Sequence, residues 1–259
     1  YPRAKFPLVI KPSESSGSFG VRVALSAVDL RRGLKESKQF TSKIVVQEFI
    51  RGPSISLEVI AKNGMGQSLL CTLLEFDSNY DCKRVIAPMD LGSLVEEKFS
   101  SMGMRIAEGL NLTGITDVEA MVYRGEPRVI EIDARLPSQT PTAVYHSCGI
   151  NMLKLLADMF VHSDISKIKA EPENSIIYEH IAVSDTTVQV VGEHAMVGAG
   201  NLKLHKSLFG ADEMLTDFDG ERGQWVAVLI VRERSIERAW KKRNRIIDKI
   251  MGELNIKRF

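Results

Sequence analysis

Apolar positions along the chain follow two rhythms. Short runs rich in β-branched residues at 6–10, 43–50, 55–61 and 68–76 predict strands. The third and fourth flank Asn63-Gly64, a pair suited to a tight hairpin turn, and with 43–50 they are expected to make one antiparallel sheet. From 94 to 110 the rhythm changes. Leu94, Val95, Phe99, Met102, Ile106 and Leu110 recur three and four positions apart, which predicts an amphipathic helix over a buried sheet. Strands return at 115–123 and 128–133, joined by the turn-like Arg124-Gly125-Glu126-Pro127. Beyond them the pattern predicts a helix at 151–160, strands at 176–183 and 225–231, and a long helix at 235–254 burying Ile236, Trp240, Ile247, Ile250 and Leu254. The order of elements is mixed α+β.

Composition narrows the function classes. The 259 residues are 44% hydrophobic, enough for a sizeable core. Thirty-four basic against thirty-three acidic residues leave no overall field to attract nucleic acid or an anionic membrane. No apolar run reaches the length of a membrane span. Cys71, Cys82 and Cys148 are few and widely spaced, which disfavours a disulfide framework or a cysteine zinc site and suits a reduced, cytoplasmic setting. The five histidines have no metal-ligand spacing, and His180 within a β run reads as a structural, hydrogen-bonded residue. Cys82 reads as a packing residue, and the basic run 238–245 as the solvated face of a helix.

The chemistry gathers in a few places. Lys11 ends a strand just before a Ser/Gly loop whose backbone could close on phosphate. Asp117-Val-Glu119 lies on one strand, and Glu131-Ile-Asp133-Ala-Arg135 follows across a hairpin. Alternation puts Glu131 and Asp133 on one face, and pairing can bring Glu119 beside them. Three such carboxylates repel unless a cation sits among them, and hard oxygen ligands suit magnesium. Val118, Ile130 and Ile132 mark both strands as core elements.

These residues, with Val9-Ile-Lys11-Pro and Gln47-Glu-Phe-Ile50, resemble the ATP-grasp superfamily. Asn79-Tyr-Asp-Cys82, Gly114-Ile-Thr-Asp-Val-Glu-Ala120, the run from Val129 to Tyr145, Gly149-Ile-Asn151 and Tyr178-Glu-His180 are most similar to its pyrrolysine-biosynthesis ligases, which join 3-methyl-D-ornithine to L-lysine. The likeness fades after His180. It implies an α+β ATP-grasp fold, two α+β subdomains gripping ATP, with residues 1–183 as the nucleotide- and metal-binding domain and 184–259 packing on it. It implies that Lys11 binds the nucleotide phosphates, that Ser15, Ser16, Gly17, Ser18 and Gly20 form the closing loop, and that Gln47, Glu48, Phe49 and Ile50 hold the adenine edge. Glu119, Glu131 and Asp133 are the implied magnesium ligands, although the superfamily more often has Asn where Asp133 stands. Arg135 is implied to steady the acyl phosphate. Motif membership and polarity single out Asp81, Ser138, Gln139, Thr140, Tyr145 and Glu179 as partners for substrate ammonium groups.

The family carries a Rossmann-like domain and a first nucleotide-binding lysine ahead of the part matched here, so a partial chain is expected. Two other readings stand beside the first: an ATP-grasp amino-acid ligase with a different substrate pair, and a nucleotide-binding remnant that does not catalyse.

Overall fold

The computed structural model describes residues 5–15, 17–161, 168–220 and 223–254; Ser16 and His162 lie outside them. The chain forms two compact units, one running up to Arg51 and taking in Asp77–Asp81, the other holding Gly52–Phe76 and everything from Cys82 onward. This division differs from the expected border at 183/184, which falls at the end of a strand central to one continuous sheet.

The first unit is a three-stranded antiparallel sheet, β2-β1-β3, built from β1 (Leu8–Pro12), β2 (Arg22–Ala24) and β3 (Ile44–Glu48). Helix α1 (Ala27–Ser37) covers one face, burying Leu30 against Leu8, Ile10 and Ala24. Ser26 starts this helix by accepting the Asp29 amide hydrogen on its hydroxyl oxygen. The expected single sheet of 43–50, 55–61 and 68–76 does not form, because β3 pairs with β1. Gly52-Pro53 then interrupts the ladder, since proline brings no amide hydrogen.

The second unit is built on one antiparallel sheet. Its strands are β4 (Ser54–Lys62), β5 (Met65–Phe76), β6 (Cys82–Ala87), β7 (Gly114–Tyr123), β8 (Glu126–Asp133), β9 (Ser175–Val183), β10 (Val188–Val190), β11 (Lys203–Lys206), β12 (Glu213–Thr216) and β13 (Trp225–Glu233). They run in the order β11-β12-β13-β9-β6-β5-β4-β7-β8, with β10 pairing the end of β9. Asn63-Gly64 and Arg124-Gly125 close their hairpins with both residues at positive φ, the two-residue turn whose twist suits paired strands.

Alternation gives the central strands two different faces. Ile55 and Leu57 of β4 and Val118 and Ala120 of β7 bury Phe99 of α2 (Ser93–Gly109). On the opposite face Ile60, Leu74, Val85 and Ile176 pack with Ala143 and Val144 of α3 (Thr140–Cys148) and with Met152 and Met159 of α4 (Met152–Val161). Helix α3, not expected from the apolar rhythm, is set by Pro141 in its first turn and Gly149 at φ 74 past its end. Helix α5 (Ile236–Glu253) packs Ala239, Ile246 and Ile250 on Ile177, Ile181 and Leu229. Among the described residues no helix is long and apolar enough to cross a membrane.

Strand β8 corrects one expectation. It ends the sheet, Ile132 is 42% exposed, and Glu131 and Val129 also face outward, so this is an edge strand and not a core one.

Gly66 of β5 stands opposite Ala61 of β4, and a Cβ there would lie 1.9 Å from the Ile60 carbonyl oxygen. Gly66→Ala is therefore expected to cost about 2 kcal/mol of stability, as overpacked sites do. A urea midpoint equal to the unsubstituted chain's would show that the strand yields freely.

Candidate functional site

In the first unit, Lys11 pairs across from Val45 and Val9 from Gln47, so Lys11 and Gln47 share the face turned away from α1. Pro12 and Ile10 turn into the core, which fixes the lysine's direction. The following loop is held by its own bonds. Ser15 Oγ donates to the Phe19 carbonyl oxygen at 2.9 Å, and the Val21 amide donates to the Ser18 carbonyl oxygen. Gly17, Ser18 and Gly20 all adopt positive φ, so the chain doubles back within a few residues. The Phe49 amide donates to the Pro7 carbonyl oxygen, and Glu48 is exposed at the end of β3. Asp81 belongs to this unit, where its amide donates to the Asp77 carboxylate.

In the second unit the strand register lays polar residues out as a grid on the sheet face covered by α3. One row runs Thr72, Ser56, Glu119, Glu131 across β5, β4, β7 and β8. The next runs Glu58, Asp117, Asp133 across β4, β7 and β8. Because the side-chain period of a strand is two, all of these point the same way. The predicted Glu119, Glu131 and Asp133 are thus brought onto one patch, with Arg135 at its rim donating to Asp133 at 2.7 Å.

Crowding governs the charge of this patch. Burial, then the charges of Asp117, Glu131 and Asp133, push the Glu119 carboxyl up to about 8, against a partial pull from Arg135. Asp117 is lifted to about 6, first by burial and then by Asp133 and Glu131; Ser56 opposes this by donating to its carboxylate at 2.5 Å. Glu58, fully buried, rises to about 8 through burial and the neighbouring Asp117. The donors are hard oxygens in register, as a divalent cation requires. No three His, Cys, Asp or Glu among the described residues converge closely enough to hold a metal ion without side-chain movement. Asp133 is engaged by Arg135, and burial beside three other carboxylates favours the protonated form of Glu119. Donor chemistry and register suit magnesium.

The run after β8 folds back over the grid. Ser138 Oγ and Gln139 Nε2 donate to Glu193 at 3.2 and 2.7 Å. Gln139 and Thr140 are buried, and Tyr145 is exposed with its ring edge-on to His146. Glu179 does not fit the expected substrate role. It is fully buried in β9, one oxygen accepting from Arg84 Nε at 2.6 Å and the other from Arg243 Nε at 2.7 Å. Arg84 also pairs with Glu75 and stacks over the Trp240 ring, so Glu179 ties α5 to the sheet. His180 beside it is buried against the Tyr178 ring.

Sequence reasoning assigned no role to Ser56, Glu58, Thr72, Asp117 or Glu193. The signal for the first two was the alternation Ser54-Ile-Ser-Leu-Glu58, polar at every second place in a strand whose other face is aliphatic.

An ATP-grasp domain model matches residues 2–139, more than half of the chain. Over 192 residues the chain is 37% identical to the 3-methyl-D-ornithine–L-lysine ligase of Methanosarcina mazei, covering 73% of this chain and 48% of that one. It spans about half the length of the curated relatives it matches. Its fold superposes on an L-amino acid ligase from Bacillus licheniformis with a TM-score of 0.68 at 17% identity, covering 95% of this chain and 63% of that one. The biotin carboxylase domain of Hydrogenobacter thermophilus 2-oxoglutarate carboxylase, solved with MgADP, ADP and bicarbonate, gives 0.71 at 16% identity, covering 92% and 56%.

Two outcomes follow from these charges. Glu119 and Glu58 have folded pKa values raised from 4.5 to about 8. The stability this contributes is complete below 4.5 and is lost as pH climbs through 8. Without divalent ions the unfolding midpoint should thus fall from about pH 5 to about pH 9, and Glu119→Gln should flatten the decline. An equally steep profile in the variant would place the titration elsewhere. Glu179→Ala leaves Arg84 buried with one partner fewer and should cost about 3–5 kcal/mol, read from chemical unfolding. A loss under about 1 kcal/mol would show the network to be solvated.

Proposed function

The chain belongs to the ATP-grasp domain family, and from that premise we propose that it is an ATP-dependent carboxylate–amine ligase that joins 3-methyl-D-ornithine to L-lysine. The observation that carries the reading is the carboxylate patch with Arg135 at its rim, lying within the stretch similar to the Methanosarcina ligases. The strand supporting it, β7, is paired on both sides, and the burial that lifts Glu119 is not that of a solvated acidic face.

On this reading Lys11 and the 15–20 loop bind the nucleotide phosphates, and the backbone of Gln47, Glu48, Phe49 and Ile50 holds the adenine edge. Glu119, Glu131 and Asp133 hold magnesium, whose charge when bound neutralises phosphate oxygens during transfer. Ionised Glu119 is then favoured, because a cation reverses the effect of its carboxylate neighbours. Arg135, paired with Asp133 in the structure, turns to the acyl phosphate once that carboxylate serves as a ligand.

The chemistry balances in two steps. A carboxylate oxygen of 3-methyl-D-ornithine attacks the γ-phosphorus, the bond from that phosphorus to the β-phosphate oxygen breaks, and ADP leaves. The neutral ε-amine of L-lysine then attacks the acyl carbon, loses a proton, and expels inorganic phosphate to leave an amide. Ser138, Gln139, Thr140, Tyr145 and Asp81 are the proposed polar contacts for the substrates, Glu179 being committed to Arg84 and Arg243. Cys71, Cys82 and Cys148 form no disulfide with one another, which suits the proposed cytoplasmic setting.

The test is mass spectrometry of the purified chain with magnesium, ATP, 3-methyl-D-ornithine and L-lysine, beside a Glu131→Gln control. The expected result is a new amide and ADP, reduced by about two orders of magnitude or more in the control. A folded chain, extended to the full length of its relatives, that still makes no amide would reject this substrate pair.

A further inference from the structure

The loop joining β1 to β2 begins just past Lys11, and the stretch that leaves α1 runs beside it. The Phe40 and Thr41 amides donate to the Ser37 carbonyl oxygen at 3.2 and 3.1 Å, which turns the chain at the helix end and brings Phe40 to the loop. The Phe40 ring meets the loop at two points. It lies edge-on to Phe19, with ring centroids 5.3 Å apart. It also borders Gly20, where a Cβ would come within 3.0 Å of both the Phe40 ring and Pro12 Cγ. The same stretch holds the start of the loop, because the Ser13 amide donates to the Lys43 carbonyl oxygen at 3.0 Å and Lys43 Nζ pairs with Glu14 at 2.9 Å.

Core packing does not account for Phe40. It is 45% exposed and lies outside the apolar cluster that Leu30 of α1 forms with Leu8, Ile10 and Ala24. A phenyl ring left half in water gains only part of the stabilisation of a buried one. What the ring touches is the loop. Gly20 adopts φ 78, which side chains rarely take, and its lack of a Cβ lets the ring and Pro12 close on it from two directions. The end of the loop is thereby fixed against the strand that carries Lys11.

Resting on the reading above, in which Lys11 and this loop bind the nucleotide phosphates, we propose that Phe40 is a positioning residue for phosphate binding. Its ring holds Phe19 and Gly20 in the folded-back form, so the loop is already ordered when nucleotide arrives. An ordering cost met in advance appears as affinity. Phe40 acts through the loop and not on the ligand. Residues 47–50, proposed to hold the adenine edge, lie toward the opposite end of the β1–β3 ladder, where Glu48 pairs with Leu8 while Ile44 pairs with Pro12. The effect of Phe40 therefore falls on the phosphates and not on the base.

The test is calorimetric binding of ADP with magnesium, and of adenosine, to the unsubstituted chain and to Phe40→Ala, Phe40→Tyr and Phe19→Ala. Phe40→Ala should weaken ADP about tenfold, as when the competent loop population falls to about a tenth, and leave adenosine unchanged. Phe40→Tyr keeps the ring and should restore ADP affinity to within about twofold. Phe19→Ala should cost about threefold for ADP, and the double variant no more than Phe40→Ala alone, since both act through one contact. A ring that merely stabilised the unit would weaken ADP and adenosine alike and lower the unfolding midpoint. Should Phe40→Ala fail to fold, Phe19→Ala decides the matter, its ring being 65% exposed and removable without loss of core. Undiminished ADP affinity in the folded variant, or an equal loss for adenosine, overturns the assignment while the nucleotide reading stands. An unsubstituted chain that binds ADP no better than adenosine overturns both.

Discussion

Everything proposed for the second unit depends on the register between β4 and β7. Pairing Ser56 with Glu119 and Glu58 with Asp117 puts four polar side chains of two central strands on one face, and β8 extends the rows with Glu131 and Asp133. A slip of one residue would turn Ile55, Leu57 and Val118 toward α3 and send the carboxylates into the core around Phe99. That second outcome is so costly that the aliphatic face holds the acidic face in register. Packing against α2 is thus what positions the chemistry on the other side of the sheet.

The fold works against full ionisation of the grid. Burial and mutual repulsion favour protonated Glu119 and Glu58, and Arg135 offsets only part of this from the exposed rim. A folded state with crowded carboxylates is stable only because the rest of the sheet is strongly apolar, from Ile176 to Ile230. Cations that bind such a patch gain from relieving the repulsion as well as from direct contact. On the proposed reading, magnesium held by Glu119, Glu131 and Asp133 relieves repulsion in both rows.

The helices divide the labour. Helix α5 is tied down by Arg243 to Glu179, with Trp240 stacked on Arg84. Helix α3 brings Gln139 and Thr140 over the grid, and Glu193 of the 3-10 turn Glu193–Gly198 sets the orientation of the Gln139 amide. A segment late in the chain thereby shapes a patch made by earlier strands.

Much of this was legible in residue order. Apolar, β-branched runs announced β4, β5, β7, β9 and β13, and the three-to-four spacing announced α2 and α5, because the burial that selects those patterns acts residue by residue. The local motif around Glu119, Glu131 and Asp133 was readable because a hairpin fixes its own pairing. Other features depend on partners distant in sequence. That β3 joins β1 and not β4, that β8 is an edge, that Glu179 meets Arg84 and Arg243, and that Glu58 faces Thr140 are all outcomes of long-range pairing. Residue order alone set which side chains could be buried and which could carry charge. Which charges share a face, and which of them find a counter-charge, was settled by folding, since electrostatic cost depends on separation in space.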